Sequence, residues 1–406
     1  MGSTWEVLLW GFGIAVVMGA VVNKTNFCTM GAVSDLVNMG DTGRIRSWVF
    51  AMSVAVAGVL ILQALGMVDA KLAVSGSDSF PPYRTAMFAW PRYIVGGLLF
   101  GIGMTLGSGC GNKTMVRIGA GNIKSLMVFI MMAIGAYLMM YTNFMGYVFL
   151  PWMQPLFVDL SRHGITSQGL GDIGSGILHL SDGMMLRYIL GGVLAVLLVA
   201  WTVRSDDFRG RFDNILGGAV VGLAVVAAWY VTAGPLGQTW LSDAMFMDQP
   251  PLHTGAQSFT FVSPSGDFLN WLSGGAATRL VSFGLMAAAG VTVGSFLWAL
   301  IRRSFRIEWF SSFKDFINHT AGGFLMGIGG VLGMGCTIGQ GVTGISTLAL
   351  GSFMTFGSIV LGAALTMKIQ YYKMVYEDEA TFAKALVTSL VDMRLLPKGL
   401  RKLEAV

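Results

Sequence analysis

Only three cysteines occur among the 406 residues, and each stands in a polar, glycine-rich stretch. The first stretch is Asn23-Lys-Thr-Asn-Phe-Cys28-Thr-Met-Gly. The second is Gly107-Ser-Gly-Cys110-Gly-Asn-Lys-Thr-Met-Val-Arg-Ile-Gly-Ala-Gly121, and the third is Gly333-Met-Gly-Cys336-Thr-Ile-Gly-Gln-Gly-Val-Thr-Gly344. A free cysteine in an apolar helix is ordinarily a small buried hydrophobe. Three of them in polar breaks ask for another reading. Glycines free the backbone for tight turns and leave N–H groups available, and such groups hold anions well. Thr29, Ser108, Asn112, Thr114, Thr337, Gln340 and Thr343 add donors, while Lys24, Lys113 and Arg117 add positive charge. Together these suit a path for a small anion. The candidate path residues are Cys28, Cys110 and Cys336. The candidate binding groups are Lys24, Asn26, Gly109, Gly111, Asn112, Lys113, Arg117, Gly335, Thr337 and Gln340. Lys24, Lys113 and Arg117 also have a plainer reading, that of long side chains snorkelling to a membrane surface.

The elements that must position these breaks are membrane helices. The chain is 54% hydrophobic and 12% charged, where soluble domains carry about 25% charged residues. A bilayer core about 30 Å thick needs about 20 mostly apolar residues per helix. Segments near 5–23, 47–66, 91–107, 124–145, 186–203, 213–233, 277–301, 318–335 and 350–372 qualify, the third and eighth being short and rich in glycine. The fold class is therefore an all-α polytopic membrane protein with about nine crossings plus short re-entrant helices. One integral transport domain is expected over 1–372, with a cytoplasmic, amphipathic tail over 373–406. The first apolar stretch lacks a basic leader and a small-residue cleavage site, and reads as a retained helix. Pro151 and Pro155 make 146–158 interfacial.

Of the 26 Lys and Arg, all but Lys71, Arg84, Arg92, Arg162, Arg187 and Arg279 fall on one side of this topology. That side is expected to be cytoplasmic, which puts the N-terminus outside and the C-terminus inside. The same rule accounts for the net charge of +5 without a nucleic-acid partner. No G-x4-G-K-[ST] motif for ATP and no zinc spacing such as C-x2-C is present, so no cofactor and no metal site are expected, and the chain is not read as an enzyme. His163, His179, His253 and His319 sit in loops or at segment ends, away from any proton relay. Asp35 reads as a capping or paired residue near the interface.

A repeat organises the breaks. Gly96-Gly-Leu-Leu-Phe-Gly-Ile-Gly-Met-Thr-Leu-Gly-Ser-Gly-Cys110 matches Gly322-Gly-Phe-Leu-Met-Gly-Ile-Gly-Gly-Val-Leu-Gly-Met-Gly-Cys336, with glycine at the same places and cysteine last. Halves at about 5–145 and 213–372, joined by a linker helix at 186–203, would enter the membrane from opposite sides. Such inverted repeats place a substrate path near the midplane, among interrupted helices. Cys28 has no cysteine counterpart in the matching region of the second half, around 229–240.

The Asn-Phe-Cys28, Gly-Ser-Gly-Cys110 and Gly-Met-Gly-Cys336 breaks, with Phe261-Val-Ser-Pro-Ser-Gly266, resemble the YeeE/YedE family of sulphur-compound transporters over about 5–370. Characterised members of that family take up thiosulfate. The resemblance implies an hourglass-like channel whose narrow centre is lined by Cys28, Cys110 and Cys336, and a separate cytoplasmic sulfurtransferase as a working partner. The run Gly-Asn-Lys-Thr-Met-Val-Arg after Cys110 departs from many relatives and adds cationic groups. Two other readings compete with transport of a sulphur anion. One is a membrane thiol that carries a persulfide in a sulfur relay. The other is a soft-metal path through cysteine and the 27 methionines, since thioether and thiolate ligands suit copper(I).

Overall fold

A computed structural model describes residues 2–68, 80–180 and 183–404 of the chain. Lys71, one of the six basic residues set apart above, lies outside the described residues. The protein is built from long apolar helices. They are α1 (Gly2–Thr25), the short α2 (Thr29–Ser34), α3 (Gly43–Ala64), α4 (Trp90–Leu106), the short α5 (Gly111–Gly119), α6 (Ile123–Tyr141), α7 (Gly183–Val203) and α8 (Phe212–Ala233). They continue with α9 (Ser263–Ser273), α10 (Phe283–Ile301), α11 (Phe313–Leu332), α12 (Leu350–Val375) and, in the tail, α13 (Phe382–Asp392). The only strands among the described residues are Met87–Phe88 and Val158–Asp159, which pair antiparallel in the connecting loops.

Among the described residues, eight helical stretches are long and apolar enough to cross a membrane. They match eight of the nine segments expected from sequence. The ninth, α11, is a 20-residue helix but not one of the eight. Lys314, Asp315, Asn318 and His319 make its start polar, and five glycines lower the hydropathy of the rest. It has little need of an apolar surface, because it packs between α4 and α6. Residues 146–158 form short, largely exposed turns and helices, broken at the two prolines.

Two sets of helices exchange partners. α1 packs on α10 and α8 on α3; α4 packs on α12 and α11 on α6; α4 and α11 pack on each other. Small residues allow the backbones to touch, as membrane helix pairs favour. A Cβ on Gly96 would lie 2.3 Å from the backbone nitrogen of Gly333, and one on Gly322 would lie 2.4 Å from that of Gly107. These two contacts are reciprocal under the repeat, since Gly96 corresponds to Gly322 and Gly107 to Gly333. The α1–α10 pair is equally close: a Cβ on Gly294 would sit 1.9 Å from the Val16 carbonyl oxygen.

The described parts of the long connections, 65–68, 80–89, 142–180 and 234–282, share one face with the start of α1, where the Ser3 hydroxyl donates to Asp243 across 2.5 Å. The short connections, 40–42, 204–211 and 302–312, share the other face with the tail. There α13 packs on α12, and the Tyr372 hydroxyl donates to Asp392 across 2.6 Å.

Candidate functional site

Each cysteine follows the same backbone gesture. Two residues before it the chain turns left-handed, at Asn26 (φ 52°), Ser108 (φ 57°) and Met334 (φ 61°). Non-glycine residues rarely adopt that region, and Ser108 and Met334 are counterparts in the repeat. The cysteine is then extended (φ −157° at Cys28, −78° at Cys110) and a short helix starts at the next residue. After Cys110 the polar, glycine-rich stretch Gly111–Gly119 is helical, so its N–H groups past the first turn are satisfied within the membrane. After Cys336 the helix includes a π turn, Gly339–Gly344, and the Gly339 N–H points at the Cys336 sulfur across 3.4 Å.

The breaks converge. All three thiols are buried, with Cys28 6%, Cys110 1% and Cys336 0% exposed. The Cys28 and Cys110 thiols lie side by side, and the Thr337 hydroxyl lies beside Cys110. Cys336, next to Thr337 in the chain, neighbours the Thr260 hydroxyl and the backbone N–H of Phe261. The order across the molecule is thus Cys28, Cys110, Thr337, Cys336. The hydroxyls of Thr29, Thr260 and Thr337 and the Asn112 side-chain carbonyl are buried and have no hydrogen-bond partner among the described residues. Unsatisfied buried groups are uncommon in native proteins; here four of them flank the thiols.

Charge sits at the Cys28 end. Lys113 and Arg117 lie within electrostatic reach of that thiol, as does Arg44. The Lys113 ammonium donates to the Asn26 side-chain carbonyl. Arg117 donates to the Ser108 carbonyl across 2.6 Å. Arg44 is held by a two-pronged pair with buried Asp35, the paired role expected of that carboxylate. Beyond this end opens a cavity of about 350 Å³ lined by Met30, Ser34, Asn38, Ser108 and Tyr371. At the Cys336 end a cavity of about 140 Å³ is lined by Phe80, Pro82, Arg92, Met334 and Gly335. Ser108 and Met334, counterparts in the repeat, therefore line the two cavities.

Not every expected residue joins the site. Lys24 is turned away and half-exposed, 3.9 Å from Asp213 and over the Phe212 ring. Gln340 braces its own break, donating to the Gly333 carbonyl across 2.6 Å. Gly109 and Gly111 are close-approach positions: a Cβ would meet the Lys113 side chain at 3.2 Å and Phe261 at 3.4 Å. Gly335 (φ 157°) packs against Gln340. Arg44, Tyr83, Arg92 and Thr260 were not singled out as site residues from sequence. Tyr83 is buried within electrostatic reach of Cys336, its hydroxyl unpartnered among the described residues.

The counterpart of Cys28 is also not where fixed spacing put it. The stretch 229–240 covers the end of α8 and the start of a short helix, Pro235–Met245. α2 packs on α12, and in the exchanged arrangement α9 packs on α6. Phe27-Cys28-Thr29 at the head of α2 thus corresponds to Phe261-Val262-Ser263 at the head of α9. Residues 235–260 are additional in the second half, and they defeat a gapless comparison. The fourth place is filled by buried Val262.

A family model described as sulphur transport matches residues 24–365. The chain is 23% identical over 371 residues to the thiosulfate transporter TsuA of Spirochaeta thermophila, covering 88% of this chain and 96% of that protein. It is 22% identical over 382 residues to TsuA of Escherichia coli, covering 88% and 93%. A probable transporter of Escherichia coli, YedE, is 27% identical over 197 residues, 48% of this chain and 41% of that protein.

Proposed function

Because the chain belongs to the sulphur transport family, we propose that it takes up thiosulfate, or a closely related small sulphur oxyanion, across a bacterial inner membrane. The observation that carries this reading is the file of thiols and hydroxyls, Cys336, Thr337, Cys110 and Cys28, running between two mouths. The likeness to two thiosulfate transporters over most of their length adds the substrate.

An S–H is a weak donor, and the terminal sulfur of thiosulfate is a soft, weakly hydrated acceptor. Weak contacts passed from one thiol to the next let an ion leave as readily as it enters, the balance conduction needs. Sulfate is harder and more strongly hydrated, and three thiols return too little of what it loses. The loop-rich face is taken as outside and the arginine-rich face as cytoplasmic, so the ion meets Arg92 and Cys336 first. It reaches Cys28 last, where Lys113, Arg117 and Arg44 favour its accumulation before release. The N-terminus is then outside and the C-terminus inside, with transport confined to 1–372. A separate cytoplasmic sulfurtransferase would consume the delivered ion.

Uptake of radiolabelled thiosulfate into proteoliposomes tests the reading. Wild-type protein accumulates label and Cys110→Ala does not. Equal uptake by the two would sink it.

The adjacency of Cys28 and Cys110 favours one alternative, a sulfur relay. A thiolate would attack the outer sulfur of thiosulfate, break the S–S bond, keep that sulfur as a persulfide and release sulfite. Mass spectrometry after incubation with thiosulfate decides between them. A cysteine heavier by one sulfur supports the relay, and unmodified cysteines with intact uptake support the channel.

A further inference from the structure

We propose that Arg84, Arg187 and Asp172 form a buried site for one small inorganic oxyanion on the loop-rich face, separate from the cysteine file. The proposal does not rest on the transport reading.

Arg84 and Arg187 are 7% and 2% exposed. Arg84 pairs with Asp172, which also accepts the Ser167 hydroxyl. Arg187 interacts electrostatically with the same carboxylate and with Arg84. Yet Nε, Nη1 and Nη2 of Arg187, and Nε of Arg84, have no hydrogen-bond partner among the described residues. Among the described residues two guanidinium groups share one carboxylate, which leaves one buried positive charge uncompensated there and four nitrogens with hydrogens to donate. Leaving a buried charge unpaired is strongly destabilising. A planar guanidinium fork matches an oxyanion in geometry as well as charge.

The surrounding chain brings the two arginines to one place. A Cβ on Gly169 would sit 2.6 Å from Nε of Arg84, and one on Gly171 would sit 2.6 Å from Cβ of Arg187. Both arginines are therefore gathered against one short segment, at the two glycines where it can approach them closely. That segment leads into the helix Leu170–Leu178 and is tied to the turn before α12. Leu170 N–H donates to the Leu348 carbonyl across 2.9 Å, and Leu350 N–H to the Gln168 carbonyl across 3.0 Å. The turn ends the short helical segment that starts after Cys336. An anion held by Arg84 and Arg187 would brace this segment from behind.

The test is thermal unfolding of the full chain in detergent, in gluconate buffer, titrated with sulfate or with chloride. Sulfate raises the midpoint saturably in wild type, by roughly 3 °C or more at a hundredfold excess over its dissociation constant. Chloride raises it less. Cys336→Ala keeps the sulfate response, which places the site off the cysteine file. Arg187→Met loses it, and without sulfate melts no lower than wild type, since the change removes an uncompensated charge. If Arg187→Met does not accumulate, Arg187→Lys is read instead, with the half-saturating sulfate concentration raised at least tenfold. Four results would overturn the proposal: no saturable rise in wild type, an unaltered rise in the Arg187 variant, loss of the rise in Cys336→Ala, or equal responses to chloride and sulfate.

Discussion

The hydroxyl of Thr337, from the second glycine-rich break, lies beside the thiol of Cys110, from the first. The two residues are far apart in sequence, and their meeting brings the two glycine-rich breaks together. Among the described residues only this weakly accepting thiol stands beside the hydroxyl, which leaves it able to donate to whatever passes Cys110. Thr337→Val keeps the shape and removes the donor. One lost hydrogen bond of about 0.5–1.5 kcal/mol predicts thiosulfate uptake lowered roughly three- to tenfold, with unchanged protein in the membrane. Uptake within the error of wild type would count against a role for this hydroxyl.

Lys24 and Lys113 look alike in sequence, since each sits in a polar break beside a cysteine. In the fold they part: Lys113 faces Cys28 and Asn26, whereas Lys24 faces Asp213. Lys113→Gln is predicted to lower uptake at subsaturating thiosulfate about tenfold, whereas Lys24→Gln changes it less than about twofold, as an exposed pair contributes little. Initial rates in proteoliposomes compare the two, and equal effects would remove the distinction.

The glycine contacts between α4 and α11 leave no space for a side chain. Gly96→Ala drives a methyl group to 2.3 Å from the Gly333 nitrogen, and overpacking of this kind costs about 1–3 kcal/mol or more. Gly146→Ala, with nothing within 4 Å, is the control. Thermal unfolding in detergent should show a lower midpoint for the first and none for the second. A Gly96→Ala protein as stable as wild type would mean that the helices slide apart cheaply.

Met334 holds a left-handed backbone (φ 61°) at the head of the third break. A β-branched side chain is strained there, by about 1–2 kcal/mol relative to a right-handed residue. Met334→Val should therefore unfold at lower temperature than wild type, and Met334→Gly should not. The reverse ranking would show that the methionine side chain matters more than the backbone.

The helices were legible because lipid imposes a length and a polarity that a sequence must obey. α11 shows the limit of that rule. A helix walled in by α4 and α6 need not be apolar, so its composition understates what it is. The three cysteines were legible because they are rare and each breaks an otherwise apolar pattern. Their neighbours were not. Arg44 belongs by sequence to a cluster of surface arginines, and only its pairing with Asp35 turns it toward Cys28. Thr260 and Tyr83 arrive from loops whose sequence carries no periodicity to place them. Val262 was hidden by the additional residues 235–260, which shift the second half out of step with the first. Arg84 and Arg187 were counted only as charges on one side, since burial and missing partners are facts of three dimensions.

The paired contacts Gly96–Gly333 and Gly322–Gly107 put backbone against backbone on both flanks of the thiol file. Two chains that meet without side chains share one bearing surface, and no rotamer is available there to act as a latch. The cavities beside Ser108 and Met334 thus share one seam of bare backbone, in which a single added methyl group on either helix has nowhere to go.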